Sequence, residues 1–334
     1  MIQTHKYRWL LTLLAAVLLA ACSNDTPDTS AEAQEIRFNA DVWQMMDGTR
    51  ATTISSNTDL EAMGSFTCYA YVDGSTDKYI DGSTVSFSAS TTPNWIFTDG
   101  KHYWPATGSL NFFAFMPAAD TYWTFDSTPY DAGSNPDGYS EDSPRIVCTD
   151  LPVNITAGSD KPQELILAYA ASQDKNGSNT SLQPTPGQVA LNFMHPFARI
   201  FLKLSPESGS GVSVNRVTIA GVKNKGTATF DGTTTTWTPS GDATNFVVSG
   251  VPASGSTPAV PATGDTPYLV IPQTFAANLT FTVNATWTDW SNVTKDISAS
   301  VNVGEWQPGH SYTYTLTLNK EALIVETEKY TEQW

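Results

Sequence analysis

The sequence predicts a mainly β protein built as β-sandwiches, and three observations lead to this fold class. Most of the chain after residue 51 alternates apolar and polar residues, as in residues 66–72 and 279–287. This alternation is the pattern of strands with one buried and one solvated face. Clusters of Gly, Asp, Ser, Pro and Thr separate these segments, as turns do. Beyond the N-terminal apolar run, no long segment has the helical period, so sheets packed on sheets are expected.

The same alternation predicts further strands along the chain. They are residues 109–115, 189–193, 200–204, 297–303 and 312–318. The segment 226–241 is rich in threonine, which favours strands, and it predicts two paired strands joined by a turn.

A polar segment, residues 175–187, interrupts the strands with two prolines and no apolar pattern. We place a domain boundary there, which predicts one β-sandwich over residues 51–186 and a second over 187–320. Residues 321–334 then form a C-terminal tail.

The N-terminus has the features of an export signal. Lys6 and Arg8 precede an apolar run over residues 10–19, which is shorter than the about 20 residues of a membrane span. The small residues before Cys22 resemble a bacterial lipobox, so residues 1–21 are predicted to be a lipoprotein signal peptide and Cys22 the lipidated residue. The polar segment after Cys22 is predicted to be a flexible tether, and residues 22–50 hold this tether and a first strand.

Charge and cysteine content narrow the functional classes. Seventeen basic residues against thirty-three acidic residues give a net charge of −16, which argues against nucleic acid as a partner because phosphate contacts need Lys and Arg. Outside Cys22, only Cys68 and Cys148 remain. They form one disulfide in an oxidising compartment or are two small core residues, and the sequence leaves both interpretations open.

The sequence carries no recognisable catalytic or cofactor motif. It lacks a nucleophile elbow, a HExxH helix, a CxxC pair and a glycine-rich phosphate loop. His195 and His310 are interpreted as structural and turn residues, so no enzyme activity, metal or cofactor is expected. Ten tryptophans and thirteen tyrosines leave glycan binding open as an alternative, although strand packing accounts for most of them.

The first predicted strand, residues 36–43, raises a question about its purpose. Its apolar face consists of Ile36, Phe38, Ala40 and Val42. Soon after it, a polar glycine-containing loop presents Arg50 where a trypsin-like protease could cut. A strand that completes a core and then becomes removable calls for an explanation.

Several segments together resemble the fimbrillin family of Bacteroidales, the subunits of type V pili. Residues 102–105 (HYWP) and 110–115 (LNFFAF) are similar to one sequence block of that family. Residues 164–170 (ELILAYA), 189–195 (VALNFMH) and 306–312 (WQPGHSY) are similar to three further segments. Their order, behind a lipobox, makes the resemblance specific over nearly the whole mature chain.

The resemblance implies a fold and an assembly mechanism. It implies two transthyretin-like β-sandwich domains and a precursor anchored in the outer membrane through lipid on Cys22. Cleavage between Arg50 and Ala51 would remove the first strand, and a strand from another fimbrial subunit would fill the emptied groove. Subunits of the same or another kind, and a host or bacterial surface receptor, are the implied partners.

The predicted donor strand is the tail after residue 321. Its apolar and aromatic residues are Leu323, Val325, Tyr330 and Trp334, with charged residues between them. Two alternatives stay open: a surface glycan-binding lipoprotein that keeps its N-terminus, and a tip or anchor protein of the fimbria. Arg50 argues against the glycan-binding and anchor alternatives, because neither needs a cleavage site.

Overall fold

The computed structural model describes residues 33–42, 57–75, 78–91, 94–118, 123–126, 145–152, 165–177, 187–206, 211–249, 268–288 and 291–330. Within these ranges the mainly β prediction is confirmed. None of the helical residues described forms a segment long and apolar enough to cross a membrane.

One short helix and 21 strands make up the described part of the chain. The helix is α1 (Asn57–Met63). The strands of the first half are β1 (Arg37–Val42), β2 (Ser65–Val72), β3 (Lys78–Phe87), β4 (Trp95–Phe97), β5 (Leu110–Met116), β6 (Trp123–Asp126), β7 (Arg145–Pro152), β8 (Ile166–Gln173) and β9 (Gln188–Phe193). Those of the second half are β10 (Ala198–Pro206), β11 (Val212–Val222), β12 (Lys225–Phe230), β13 (Thr235–Ser240), β14 (Thr244–Ser249), β15 (Tyr268–Val270), β16 (Gln273–Thr274), β17 (Leu279–Trp287), β18 (Val293–Val301), β19 (Glu305–Trp306), β20 (Ser311–Leu318) and β21 (Leu323–Tyr330).

The first half is organised around a seven-stranded sheet. Its order is β8-β5-β2-β3-β4-β1-β9, so the strand that comes first in the sequence lies inside the sheet. The two end strands also meet, because Leu167 on β8 and Met194 after β9 exchange backbone hydrogen bonds of 2.9 and 2.7 Å. The sheet therefore curls around a single apolar core.

The second half is a β-sandwich. One sheet has the order β15-β10-β20-β21 and the other β14-β11-β17-β18. Buried residues of both sheets share one core, which includes Leu204, Phe281, Trp287 and Tyr314. On β17 the predicted alternation is strict, with every second side chain buried, because its other face is solvated.

A further sheet, with the order β13-β12-β7-β6, links the two halves. Its strand β7 comes from the first half of the sequence and pairs with β12 from the second half, as in the register Phe230 to Ile146. A third apolar cluster lies beside this sheet and includes Phe113, Phe115 and Phe230. This cluster explains why β5 is buried at all seven positions and has no wet face.

The predicted strands and hairpin are present among the described residues. The hairpin at 226–241 is formed by β12 and β13. Strand β9, which follows the predicted boundary at residue 187, pairs with β1, so the seven-stranded sheet extends to Phe193. Strand β9 is held in this sheet by its parallel pairing with β1. The polarity of neighbouring residues does not predict a pairing between strands so far apart in the sequence.

Cys68 and Cys148 are two separate buried cysteines that are not joined by a disulfide. Cys68 lies in the core of the first sheet and Cys148 in the cluster between the halves. Burial raises the pKa of the Cys68 thiol well above its usual value. The sequence left open whether the two cysteines form a disulfide or are small core residues. In the structure they are small core residues.

Candidate functional site: the groove that holds the first strand

Strand β1 fills a groove between β4 and β9. It runs parallel to β9 over six residue pairs, from Arg37 opposite Gln188 to Val42 opposite Phe193. On its other side it meets β4 in antiparallel orientation at the pair Phe38 and Trp95. A strand in this position is an interior strand of the sheet, although it is the first strand of the chain.

The chain just before β1 is held on both backbone edges as well. The amide of Ile36 donates to the carbonyl of His102 at 2.8 Å, and the amide of Trp104 donates to the carbonyl of Gln34 at 2.9 Å. On the opposite edge, the amide of Arg37 donates to Gly187 at 3.2 Å. Removing this segment would leave unpaired donors and acceptors on two neighbouring stretches of chain, which is the usual template for an added strand.

The inward side chains of β1 complete the core of the first sheet. Ile36, Phe38 and Ala40 are 1%, 0% and 5% exposed, while Arg37 and Asn39 between them point to solvent. Burying Ile36 or Phe38 contributes about 1.5–3 kcal/mol each. Val42 lies in the strand, and its side chain is outside the described residues.

Phe38 is the most enclosed of these residues because it sits among three other rings. The ring centroids of Phe66, Phe97 and Phe112 lie 5.5, 5.3 and 5.8 Å from that of Phe38, all in edge-on orientation. This geometry is favourable for aromatic pairs. The centre of the groove is therefore a pocket shaped for one aromatic side chain.

Gly187 permits the close approach of the segment before β1. Its φ of +83° is a backbone conformation that favours glycine, and a Cβ there would lie 2.4 Å from Nε2 of Gln34. Its carbonyl also accepts a hydrogen bond of 3.2 Å from Nε1 of the buried Trp104. The sequence interpretation missed Gly187 and the pairing of residues 102–104 with the first strand, because no local pattern encodes them.

Polar groups surround the rim of the groove. Glu35 forms ion pairs of 3.2 Å with both Arg37 and Lys101, and exposed pairs of this kind contribute at most about 1 kcal/mol each. His102 contacts Asp99 at 3.0 Å. Partial burial raises the pKa of Asp99, but hydrogen bonds from Ser83 and His102 outweigh it and hold that pKa below its ordinary value.

Helix α1 lies beside the other end of β1. Its first residue, Asn57, donates a side-chain hydrogen bond to the carboxylate of Asp41 on β1, and its Leu60 is fully buried in the same core as Phe38. The chain thus contacts β1 again at Asn57, beyond the sequence segment 43–56 that contains Arg50. Cys22, Arg50 and Ala51 themselves lie outside the described residues.

The predicted donor tail forms β21, an edge strand antiparallel to β20. The register runs from Leu318 opposite Leu323 to Ser311 opposite Tyr330. Leu323 is buried and Val325 is half-buried against the second core, whereas Ile324 is 57% exposed. The side chain of Tyr330 and all of Trp334 lie outside the described residues.

The second half of β21 has little apolar contact and is held by polar ones. Its side chains over residues 326–329 are exposed. Nζ of Lys329 donates to Oε1 of Gln307 at 2.8 Å and lies 4.0 Å from a carboxylate oxygen of Glu305. The same amine lies 5.9 Å from the ring centroid of Tyr312. The tail is therefore bound through backbone pairing with β20 along one edge and through the polar contacts of Lys329 near its end.

The aromatic residues of the described ranges do not form an exposed binding platform. Of the described tryptophans, Trp237 is half-buried and the others are buried. Tyr79 and Tyr103 are exposed, with the hydroxyl of Tyr79 donating to the carbonyl of Tyr103 at 2.7 Å. The described residues contain no group of His, Cys, Asp and Glu arranged to hold a metal ion.

The fold and the groove define a class of protein, namely a β-sandwich protein whose N-terminal segment completes its own sheet. Its fold is similar to that of a fimbrial protein from Bacteroides vulgatus, with a TM-score of 0.58 and 16% identity over 90% of this chain and 99% of that one. It is also similar to a candidate cell adhesion protein from Bacteroides uniformis, with a TM-score of 0.56 and 18% identity over 90% and 99% of the two chains. At this identity the likeness shows the fold.

A family model described as fimbrillin-like matches residues 49–334, so the chain belongs to the fimbrillin-like family. It is therefore a structural protein of the cell-surface fimbria with a role in adhesion, it is not an enzyme, and its partners are other fimbrial subunits. A comparison with curated protein sequences finds no match.

Proposed function

We propose that the protein is a fimbrial subunit that polymerises by strand exchange after losing β1. In this proposal the precursor is lipidated at Cys22 and held at the outer membrane, and a protease cuts between Arg50 and Ala51. The segment 22–50 then leaves, and a strand of another subunit enters the groove between β4 and β9. The observation that carries the proposal is that the first strand of the chain is an interior strand of its sheet.

The position of Arg50 fits a strand that has to leave. Residues 43–56 connect β1 to α1, and Arg50 lies within this connection. A cut there leaves β1 joined to the remainder of the subunit by non-covalent contacts alone. The family match begins at residue 49, next to Arg50, and does not include β1.

The open groove would have a strong tendency to bind a replacement. The backbone edges of β9 and of residues 102–104 would lose their partners, and the pocket of Phe38 would be exposed. Unpaired strand edges and exposed apolar surface both favour the addition of a new strand. The replacement would take the direction of β1, parallel to β9.

The tail, residues 322–334, is the proposed donor to a neighbouring subunit. As an edge strand it is paired to β20 on one side, and beyond Val325 its described side chains are exposed. Releasing it therefore costs fewer apolar contacts than releasing an interior strand would. Deleting residues 322–334 should give cleaved subunits that accept a strand and cannot donate one, so fibres would be capped or absent.

The substitution Arg50→Ala tests the cleavage step. The variant should be exported, folded and lipidated yet should not polymerise, because the tethered β1 stays in its groove at high effective concentration. Arg216→Ala, at an exposed arginine on β11, is the matched control and should form normal fibres. Electron microscopy of the cell surface and the mass of the mature N-terminus are the measurements.

Two results would replace this proposal by an alternative. Normal fibres formed by Arg50→Ala protein would show that β1 is an ordinary core strand. Surface protein that consists mainly of the intact form with lipidated Cys22 would favour the role of an anchor that stays in the membrane.

A further inference from the structure

We propose that the groove vacated by β1 selects its donor strand by an aliphatic-aromatic-small pattern at alternate positions, and that it therefore rejects the tail of this same chain. The occupant would be a strand of a different subunit that carries this pattern. This inference rests on the proposed function, because it requires that β1 be removed.

The pattern follows from how β1 itself fills the groove. The inward side chains in chain order are Ile36, Phe38 and Ala40, all buried in one core. The parallel pairing to β9 fixes their spacing and direction. A replacement strand in the same register must present its own side chains at these three positions, because a shift by one residue would turn them to solvent.

The aromatic position is the most selective of the three. Three rings surround Phe38 with centroids between 5.3 and 5.8 Å away, so a smaller side chain would leave a cavity between them. Core cavities left by large-to-small changes are costly because the surroundings relax only in part. The next inward position holds a single methyl group, that of Ala40, and close-packed interiors resist a larger side chain at such a place.

The tail of this chain cannot present an aliphatic, an aromatic and a small residue at the three inward positions in any register. Among all sets of three alternate residues in 322–334, only Leu323, Val325 and Thr327 avoid a charged side chain. That set places valine in the pocket of three rings and threonine at the position of one methyl group. The aromatic Tyr330 does not help, because Glu328 and Glu332 flank it two residues away and would be buried as carboxylates.

The mismatch has a consequence for the order of subunits in the fibre. A chain whose tail does not fit its own groove does not extend as a homopolymer. Its groove is filled by a subunit of another kind, and its tail, if donated, enters the groove of another kind of subunit. The chain then occupies a defined place next to different neighbours.

Peptide competition on the cleaved protein tests the selection. The purified chain is cut after Arg50, the protease is inhibited, and a fluorescent peptide of residues 33–43 is allowed to occupy the groove. Unlabelled competitors are the same peptide, its Phe38→Val variant, and the tail peptide 322–334. The Phe38→Val peptide should compete about 100-fold more weakly than the parent, and the tail peptide should compete more weakly still.

Two variants of the tail peptide make the test specific for the pattern. Val325→Phe with Thr327→Ala installs the pattern in the one uncharged register and should improve competition by about tenfold or more. Ile324→Phe adds the same ring on the outward face and is the matched control, which should bring no such gain.

The outcomes separate this inference from the function on which it rests. A wild-type tail peptide that competes within about threefold of the peptide of residues 33–43 would overturn the selection and leave strand exchange intact. Equal gains from the Val325→Phe, Thr327→Ala peptide and the Ile324→Phe peptide would also overturn it. Failure of the fluorescent peptide to bind the cleaved chain would overturn both the groove and the selection.

Discussion

The ring of Phe38 on β1 lies edge-on to the ring of Phe66 on β2, with centroids 5.5 Å apart and an interplanar angle of 88°. These strands are not neighbours in the sheet, which places β3 and β4 between them. The contact therefore crosses the interior of the curled sheet. A segment that the proposal treats as removable is thus a central part of the core, and this explains why its loss would leave a groove.

Truncating the central ring of β1 should destabilise the uncleaved chain strongly. Phe38→Ala is expected to lower the free energy of unfolding by about 3–5 kcal/mol, because a fully buried ring is lost from a packed site. Asn39→Ala, on the outward face of the same strand, should change it by less than about 0.5 kcal/mol. Denaturant unfolding measures both, and equal effects would show that β1 does not pack as described.

The close approach at Gly187 should be sensitive to a single methyl group. Gly187→Ala is expected to cost about 1–3 kcal/mol, from a positive φ together with the contact to Gln34. Gly241→Ala, at φ +76° with open space around it, is the control that reports the backbone strain alone. In thermal unfolding, the melting temperature of Gly187→Ala should be lower than that of Gly241→Ala. Adding Gln34→Ala to Gly187→Ala should recover part of this difference.

The polar contacts of Lys329 should limit the local opening of β21. Lys329→Met removes the contacts to Gln307 and Glu305, so the amides over residues 326–330 should exchange with solvent faster. Global stability should change by at most about 1 kcal/mol, since the contacts are exposed. Lys225→Met, at an exposed lysine of β12, should leave exchange in β21 unchanged. Native-state hydrogen exchange with mass spectrometry is the measurement.

Asp73 should make the first sheet sensitive to acid. Hydrogen bonds from Ser172 and Asn111 hold its pKa below the ordinary value of 3.8, and its carboxylate also accepts from Ser109. Because the folded pKa is the lower one, the stabilisation is fully present above the unfolded pKa and is lost as the pH falls through the folded pKa.

We therefore expect Asp73→Asn to lower the free energy of unfolding at pH 7. Below about pH 4, the free energy of unfolding of this variant should fall less steeply than that of the unaltered chain. Unfolding curves between pH 2 and pH 7, in steps of about one unit, measure this. Asp242→Asn, at an exposed aspartate between β13 and β14, should leave the curve unchanged. An unchanged curve for Asp73→Asn would show that this carboxylate is solvated.

The sequence alone determined the fold class, most of the strands and the identity of the first strand's inward face. These features depend on the alternation of neighbouring residues, as in Leu279 to Trp287, and alternation is a local property of the chain. The order of family-like segments also pointed to the fimbrillin-like family, which the family match over residues 49–334 confirms.

Only the tertiary structure decided which strands become neighbours. That β1 runs parallel to β9, that residues 102–104 bind its other edge, and that β7 pairs with β12 across the two halves all depend on residues far apart in the sequence. The same holds for the ring pocket around Phe38, whose walls come from β2, β4 and β5. Alternation fixes which face of a strand is buried, whereas the partner and the shape of its pocket follow from closing a sheet around one core.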